Sequence, residues 1–185
     1  MEVNNLTCLL IAMKNCEQMP NINIYEHGLM VNKAYLEIIT ALELGQTIEG
    51  LPNDLIELYR SNVLLDYNLM LQYQILHDCG KPLCRELGDD GRVHFPNHAR
   101  LSSEQIRKFL PQEIDLQFLI EHDMDFHTLK VEELVSLSKT KYGFSLYLTS
   151  WAELFANASL FGGIDTVSFK IKRKKLIKSF RLFRV

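Results

Sequence analysis

Ile24-Tyr25-Glu26-His27-Gly28-Leu29-Met30-Val31-Asn32-Lys33-Ala34-Tyr35-Leu36-Glu37-Ile38-Ile39-Thr40-Ala41-Leu42 is the stretch that decides the fold class. Ile24, His27, Val31, Ala34, Tyr35, Ile38 and Leu42 recur at steps of three and four, which lines them along one face of a long helix. Gly45 and the Gly50-Leu51-Pro52-Asn53 turn end that helix and open the next element. Residues 6–13 read as a buried first helix. A second long helix is expected over 63–77, stopping at Gly80-Lys81-Pro82. Further helices are expected over about 99–110, 112–124, 130–140 and 144–161, with Gly162-Gly163 as the stop of the last. Between them, residues 85–95 carry turn chemistry, and Asp89-Asp90-Gly91 predicts a tight turn between two very short strands. The expected fold is all-α: one helical domain over 1–163, and a basic C-terminal extension over 164–185.

The chain has 185 residues, 47% apolar and 23% charged, the balance of a globular domain rather than a disordered one. Its net charge of -3 conceals an asymmetry. Residues 1–169 carry 12 basic against 23 acidic side chains, while the last 16 carry eight basic ones and no acid. An acidic body argues against a general nucleic-acid coat; a basic end keeps a polynucleotide partner open. The apolar run at 6–13 is too short to span a bilayer and lacks a basic leader, so no transmembrane segment or export signal is expected. Cys8, Cys16, Cys79 and Cys84 fit no paired zinc-thiolate spacing and point to a reducing, cytoplasmic setting.

Histidine use carries the chemistry. All six histidines lie between His27 and His127, and two are followed by aspartate: His77-Asp78 and His122-Asp123. His27, His77 and His122 sit where a helix turns them inward. One inward histidine is ordinarily a satisfied core residue. Several converging ones need a partner for each ring nitrogen, and a shared metal ion serves them economically. Imidazole with carboxylate suits divalent manganese, iron, nickel, zinc or cobalt, and carboxylate also suits magnesium. Consecutive side chains on a helix diverge by about 100°, so His-Asp reaches one ion best where a helix is ending. Gly80 is expected to give the backbone that freedom, and Lys81 brings a cation to where a phosphate would lie. His94 and His127, in or beside loops, read as solvated residues. Trp151 and Phe155 read as core, and Cys79 as packing.

The segment Tyr73-Gln74-Ile75-Leu76-His77-Asp78-Cys79-Gly80-Lys81-Pro82 resembles the central motif of the HD-domain metal-dependent phosphohydrolases, an apolar stretch ending in His-Asp-x-Gly-Lys. Residues 24–31 resemble that family's early histidine helix. Residues 89–99, followed by Phe118-Leu119-Ile120-Glu121-His122-Asp123, are similar to the HD region attached to bacterial tRNA nucleotidyltransferases. The resemblance spans about residues 20–160. It implies His27, His77 and Asp78 as metal ligands, with His98 and His122 holding a second ion or meeting the substrate phosphate, and Lys81 neutralising phosphate charge. The family's late aspartate is replaced by Glu153 in Ala152-Glu153-Leu154-Phe155-Ala156; Glu153 is read either as a ligand on a longer arm or as a surface or capping carboxylate. The implied activity is hydrolysis of phosphoesters of RNA ends or nucleotides by a metal-activated water, with Asp78 both ligating and accepting a proton. The alternatives are a hydrolase of free (deoxy)nucleotides and a catalytically weakened binding or regulatory module.

Beyond Gly163 the sequence alternates locally, with Val167, Phe169 and Ile171 on one side and Ser168, Lys170 and Lys172 on the other. The extension reads either as a solvated tail or as a strip through which Lys170, Lys172, Arg173, Lys174 and Lys175 contact RNA without sequence preference. A membrane-surface role is the weaker option, on Phe180, Leu182 and Phe183 among the charges.

Overall fold

The computed structural model describes residues 6–184. Helices account for 63% of it, and the only strands among the described residues form two short antiparallel pairs, which makes the class all-α. No helix among the described residues is long and apolar enough to cross a membrane. The described residues form two compact units, residues 6–30 with 71–123 and residues 31–70 with 124–184.

The first unit begins with α1 (Leu6–Asn15), whose Leu9 and Met13 are fully buried. A hairpin that periodicity does not predict follows: β1 (Glu17–Met19) pairs with β2 (Ile22–Asn23) across Pro20-Asn21. It turns at Asn21, at a φ of 65°, with the Asn21 N–H donated to the Glu17 carboxylate. Strands this short carry no period, so periodicity cannot find them. α2 (Ile24–Glu43) starts immediately, on a reciprocal cap. The Glu26 N–H donates to Asn23 Oδ1 at 2.9 Å and the Asn23 N–H to Glu26 Oε2 at 2.9 Å, a capping box that sets the helix start and therefore the position of His27.

α4 (Tyr67–Leu76) is shorter than the expected 63–77. Asp66 Oδ1 accepts the N–H groups of Asn68 and Leu69 and caps the helix there, leaving Val63 outside it and 86% exposed. A single 3₁₀ turn (Lys81–Leu83) follows the His-Asp pair. β3 (Glu86–Leu87) and β4 (Val93–His94) pair across the Asp89-Asp90-Gly91 turn, as expected. Then come α5 (His98–Phe109) and α6 (Ile114–Glu121), packed on one another.

The second unit holds the rest of α2, with Val31, Tyr35, Ile38 and Leu42 all buried, together with α3 (Leu55–Ser61), α7 (Asp125–Thr128), α8 (Val135–Ser138), α9 (Gly143–Leu160) and α10 (Val167–Ser179). The helix expected over 130–140 is reduced to the single turn α8, and the residues before it form tight turns in which the Glu133 N–H donates to the Lys130 carbonyl and the Leu134 N–H to the Val131 carbonyl. α9 is buried along most of its length, and Trp151, Tyr147 and Leu148 are fully enclosed.

The local alternation at 167–172 does not produce a strand, and the C-terminal stretch is not a solvated tail. Thr166 Oγ1 accepts the Phe169 N–H at 3.2 Å and starts α10. Phe169, Leu176, Phe180 and Phe183 are then buried on one side of α10 and the 3₁₀ turn that follows it (Phe180–Phe183). The Phe183 ring lies 5.0 Å from Tyr147 and 5.4 Å from Phe144. Arg173 Nε donates to Gly50 O at 2.6 Å, so even the basic residues take part in packing.

Candidate metal and phosphate site

The capping box brings His27 onto the first turn of α2, where it is 1% exposed. His77 and Asp78 come from the other side, at the end of α4, and are equally buried. What lets the two segments meet is glycine. A Cβ on Gly28 would lie 2.8 Å from backbone atoms of Gln74 and Ile75, and a Cβ on Gly80 would lie 2.4 Å from the Ser102 nitrogen. Gly80 itself sits at φ -81°, ψ -16°, an ordinary helical conformation. The freedom expected of it is therefore not used; it is needed so that α5 can approach the His-Asp turn. That approach is fixed by the Gly80 N–H, which donates to Ser102 Oγ at 2.9 Å. Gly80→Ala is expected to cost about 3 kcal/mol through overpacking, a Tm fall of roughly 6–12 °C for a chain of this size, measurable by thermal denaturation.

Asp78 is the centre of the group. Its Oδ2 lies 2.5 Å from Lys81 Nζ and 3.1 Å from His77 Nε2; its Oδ1 lies 3.5 Å from His98 Nε2. The two imidazoles are oriented alike. His77 Nδ1 is 2.8 Å from Gln74 O, and His98 Nδ1 is 2.9 Å from Phe95 O. A carbonyl only accepts, so each Nδ1 carries its proton and each Nε2 presents a lone pair to the carboxylate when the ring is neutral. Lone pair facing carboxylate oxygen is repulsive unless a cation or a second ring proton lies between them. The His27 ring completes the group, 5.6 Å from that of His77. Burial alone would raise the Asp78 carboxyl, but the charges of His77 and Lys81, with His27 behind them, hold it well below the usual carboxylate range. Two imidazoles whose tautomers are fixed by carbonyls and a carboxylate held anionic are side-chain types that divalent cations take as ligands.

Lys81 is 9% exposed and enclosed by three groups: Asp78, Gln18 Oε1 at 3.1 Å and the Phe95 ring at 5.4 Å. Gln18, on the unforeseen hairpin, is the residue that sequence reasoning missed; nothing in so short a strand marks it. Cys79 is fully buried against Ser102, and burial pushes its thiol up to about 12, which is packing, as expected. His94 is exposed and paired with Asp90, a solvated residue as expected.

The second His-Asp pair divides its work. Asp123 is buried and accepts the Tyr73 hydroxyl at 2.5 Å, a structural bond within the first unit. His122 caps α6 with its ring 4.3 Å from that of Phe118. In the second unit, Glu153 is neither a surface nor a capping carboxylate. Its Oε2 lies 2.8 Å from His127 Nε2, the two side chains 17% and 12% exposed. His127 is therefore not the solvated loop residue expected: α7 turns it inward, and its carbonyl accepts Lys175 Nζ at 2.7 Å. No family model, curated protein or solved structure matches the chain.

Proposed function

We propose that the protein is a metal-dependent phosphohydrolase of the HD type, acting on phosphoesters of RNA ends or nucleotides. One observation carries the proposal: a buried carboxylate, Asp78, flanked by two tautomer-fixed imidazoles and an ammonium. His27, His77 and Asp78 would hold the ion; the sequence pattern adds Glu153, and His98 and His122 as ligands of a second ion or contacts to the phosphate. A bound divalent cation supplies Lewis acidity and makes water a usable nucleophile near neutral pH.

The chain's own residues do the rest. The Gln74 carbonyl keeps His77 Nε2 aimed at Asp78, so the ligand atoms are oriented before anything binds. His98 Nε2 sits at 3.5 Å from Asp78 Oδ1, beyond a good direct hydrogen bond and within reach of a bridging water. The side chain of His98 is 24% exposed, against 3% for Asp78. His98 is thus the group that water reaches, and it takes the proton-accepting role that the family resemblance assigns to Asp78. Lys81 Nζ offsets charge on the phosphoryl oxygens. The exposed face of α10, with Lys170, Lys172, Lys174 and Lys178, favours a polynucleotide end over a free nucleotide, since such a face tracks phosphates without reading sequence.

A second reading, a binding module with the HD arrangement and little turnover, is favoured by the engagement of Glu153 with His127. The test is an activity panel with manganese, nickel, iron, cobalt, zinc or magnesium. Its substrates are 2′,3′-cyclic, 2′- and 3′-phosphate RNA ends, nucleoside monophosphates and nucleoside triphosphates. The expected result is metal-dependent release of phosphate or opening of the cyclic ester, strongest on RNA ends. Metal binding with no turnover on any substrate would select the second reading.

A further inference from the structure

We infer that Gln18 is a positioning residue for Lys81, and that the β1–β2 hairpin exists in this fold to aim one ammonium proton at an incoming phosphate oxygen. The inference rests on the reading of Lys81 as a phosphate contact and concerns what makes it one. A lysine ammonium has three N–H donors on a flexible stem that loses about 2 kcal/mol of rotamer entropy when fixed. Here one donor goes to Asp78 Oδ2 at 2.5 Å and one to Gln18 Oε1 at 3.1 Å. The Phe95 ring, 5.4 Å from Nζ, closes a further side by attraction between the cation and the ring face. The third donor is left for a ligand oxygen, and its direction is set because the other two are occupied.

Gln18 is suited to this as a neutral acceptor. A carboxylate at its position would put a second anion against the same ammonium and repel a phosphate; an apolar residue would leave the amine tied to Asp78 alone. The acceptor comes from a different part of the chain than the His-Asp motif, 63 residues away in sequence. The hairpin is closed internally by the Asn21 N–H to Glu17 and is joined to the helix bearing His27 by the Asn23–Glu26 box that starts it. Gln18 and His27 are therefore held by one continuous, capped segment, so the phosphate contact and the first metal ligand are positioned together.

The experiment titrates inorganic phosphate into the full chain, with and without added manganese, for wild type, Gln18→Leu, Gln18→Glu and Lys81→Met, beside kcat and KM for p-nitrophenyl phosphate. Gln18→Leu is expected to weaken phosphate binding about three- to tenfold, the loss of one hydrogen bond, with the change appearing in KM more than in kcat. Gln18→Glu, the closer match in shape, is expected to weaken it more than Gln18→Leu does, because the added charge faces the phosphate. A merely structural role gives the opposite order, with the glutamate near wild type. That order, or phosphate affinity in Gln18→Leu equal to wild type while Lys81→Met loses it, overturns the inference. Undiminished phosphate binding by Lys81→Met instead overturns the reading beneath it. If the leucine variant does not fold, the glutamate variant against wild type decides alone.

Discussion

Asp78→Asn is expected to lower phosphoester hydrolysis by about three orders of magnitude or more and, at the same time, to destabilise the fold by about 3–5 kcal/mol. The two losses have different causes. Activity falls because the amide is neutral and presents only one acceptor oxygen, where the carboxylate meets His77 and Lys81 through Oδ2 and faces His98 through Oδ1. Stability falls because Lys81, 9% exposed, keeps its charge and loses the anion that compensates it. The causes can be separated. Asp78→Asn combined with Lys81→Met removes the stranded charge, so the double variant should recover much of the lost stability and none of the activity. Denaturant unfolding with kinetics on the same samples reads both. A double variant no more stable than Asp78→Asn would mean that the buried pair is not the source of the cost.

Deleting residues 167–185 should abolish cooperative folding of the second unit. The deletion removes Phe169, Leu176, Phe180 and Phe183 from the core. At about 1.5–3 kcal/mol for each buried side chain, the loss is on the order of 6–12 kcal/mol, comparable with the whole stability of an ordinary domain of about 5–15 kcal/mol. It also removes the hydrogen bonds from Arg173 to Gly50, from Lys175 to the His127 carbonyl and from Tyr147 to the Leu176 carbonyl. By contrast, Lys170→Ser, Lys174→Ser and Lys178→Ser together change only exposed positions and should leave Tm nearly unchanged. Near-ultraviolet circular dichroism during heating distinguishes the cases. A truncated chain that still melts cooperatively at the wild-type temperature would show α10 to be dispensable.

That helix marks the boundary of what the sequence makes legible. Phe169, Leu176, Phe180 and Phe183 stand at helical spacing, so the signal is present, but eight basic residues in the same stretch hide it and a short run of alternation imitates a strand. α2 is legible because seven positions repeat without interruption and its start is capped by residues adjacent in the chain. The hairpin at Asp89-Asp90-Gly91 is visible because its turn chemistry is local; the one bearing Gln18 also turns on local chemistry, Pro20-Asn21 with Asn21 at a φ of 65°, but its strands are too short to carry a period. The histidines, Asp78 and Lys81 are visible as a motif, yet the motif assigns Gly80 to backbone flexibility when its real burden is contact with Ser102. Pairings such as Glu153 with His127, or Lys81 with Gln18, join residues that no local pattern links and appear only once the chain is folded.

The proposed function requires the group around Asp78 to bind a divalent cation. It is tested most directly by titrating manganese into the metal-stripped full chain by calorimetry, beside Asp78→Asn verified as folded. Stoichiometric binding, at least one ion per chain, is expected in the wild type and none in the variant. Wild-type protein that takes up no ion from manganese, nickel, iron, cobalt, zinc or magnesium, or a folded Asp78→Asn chain that binds as well as wild type, would contradict it.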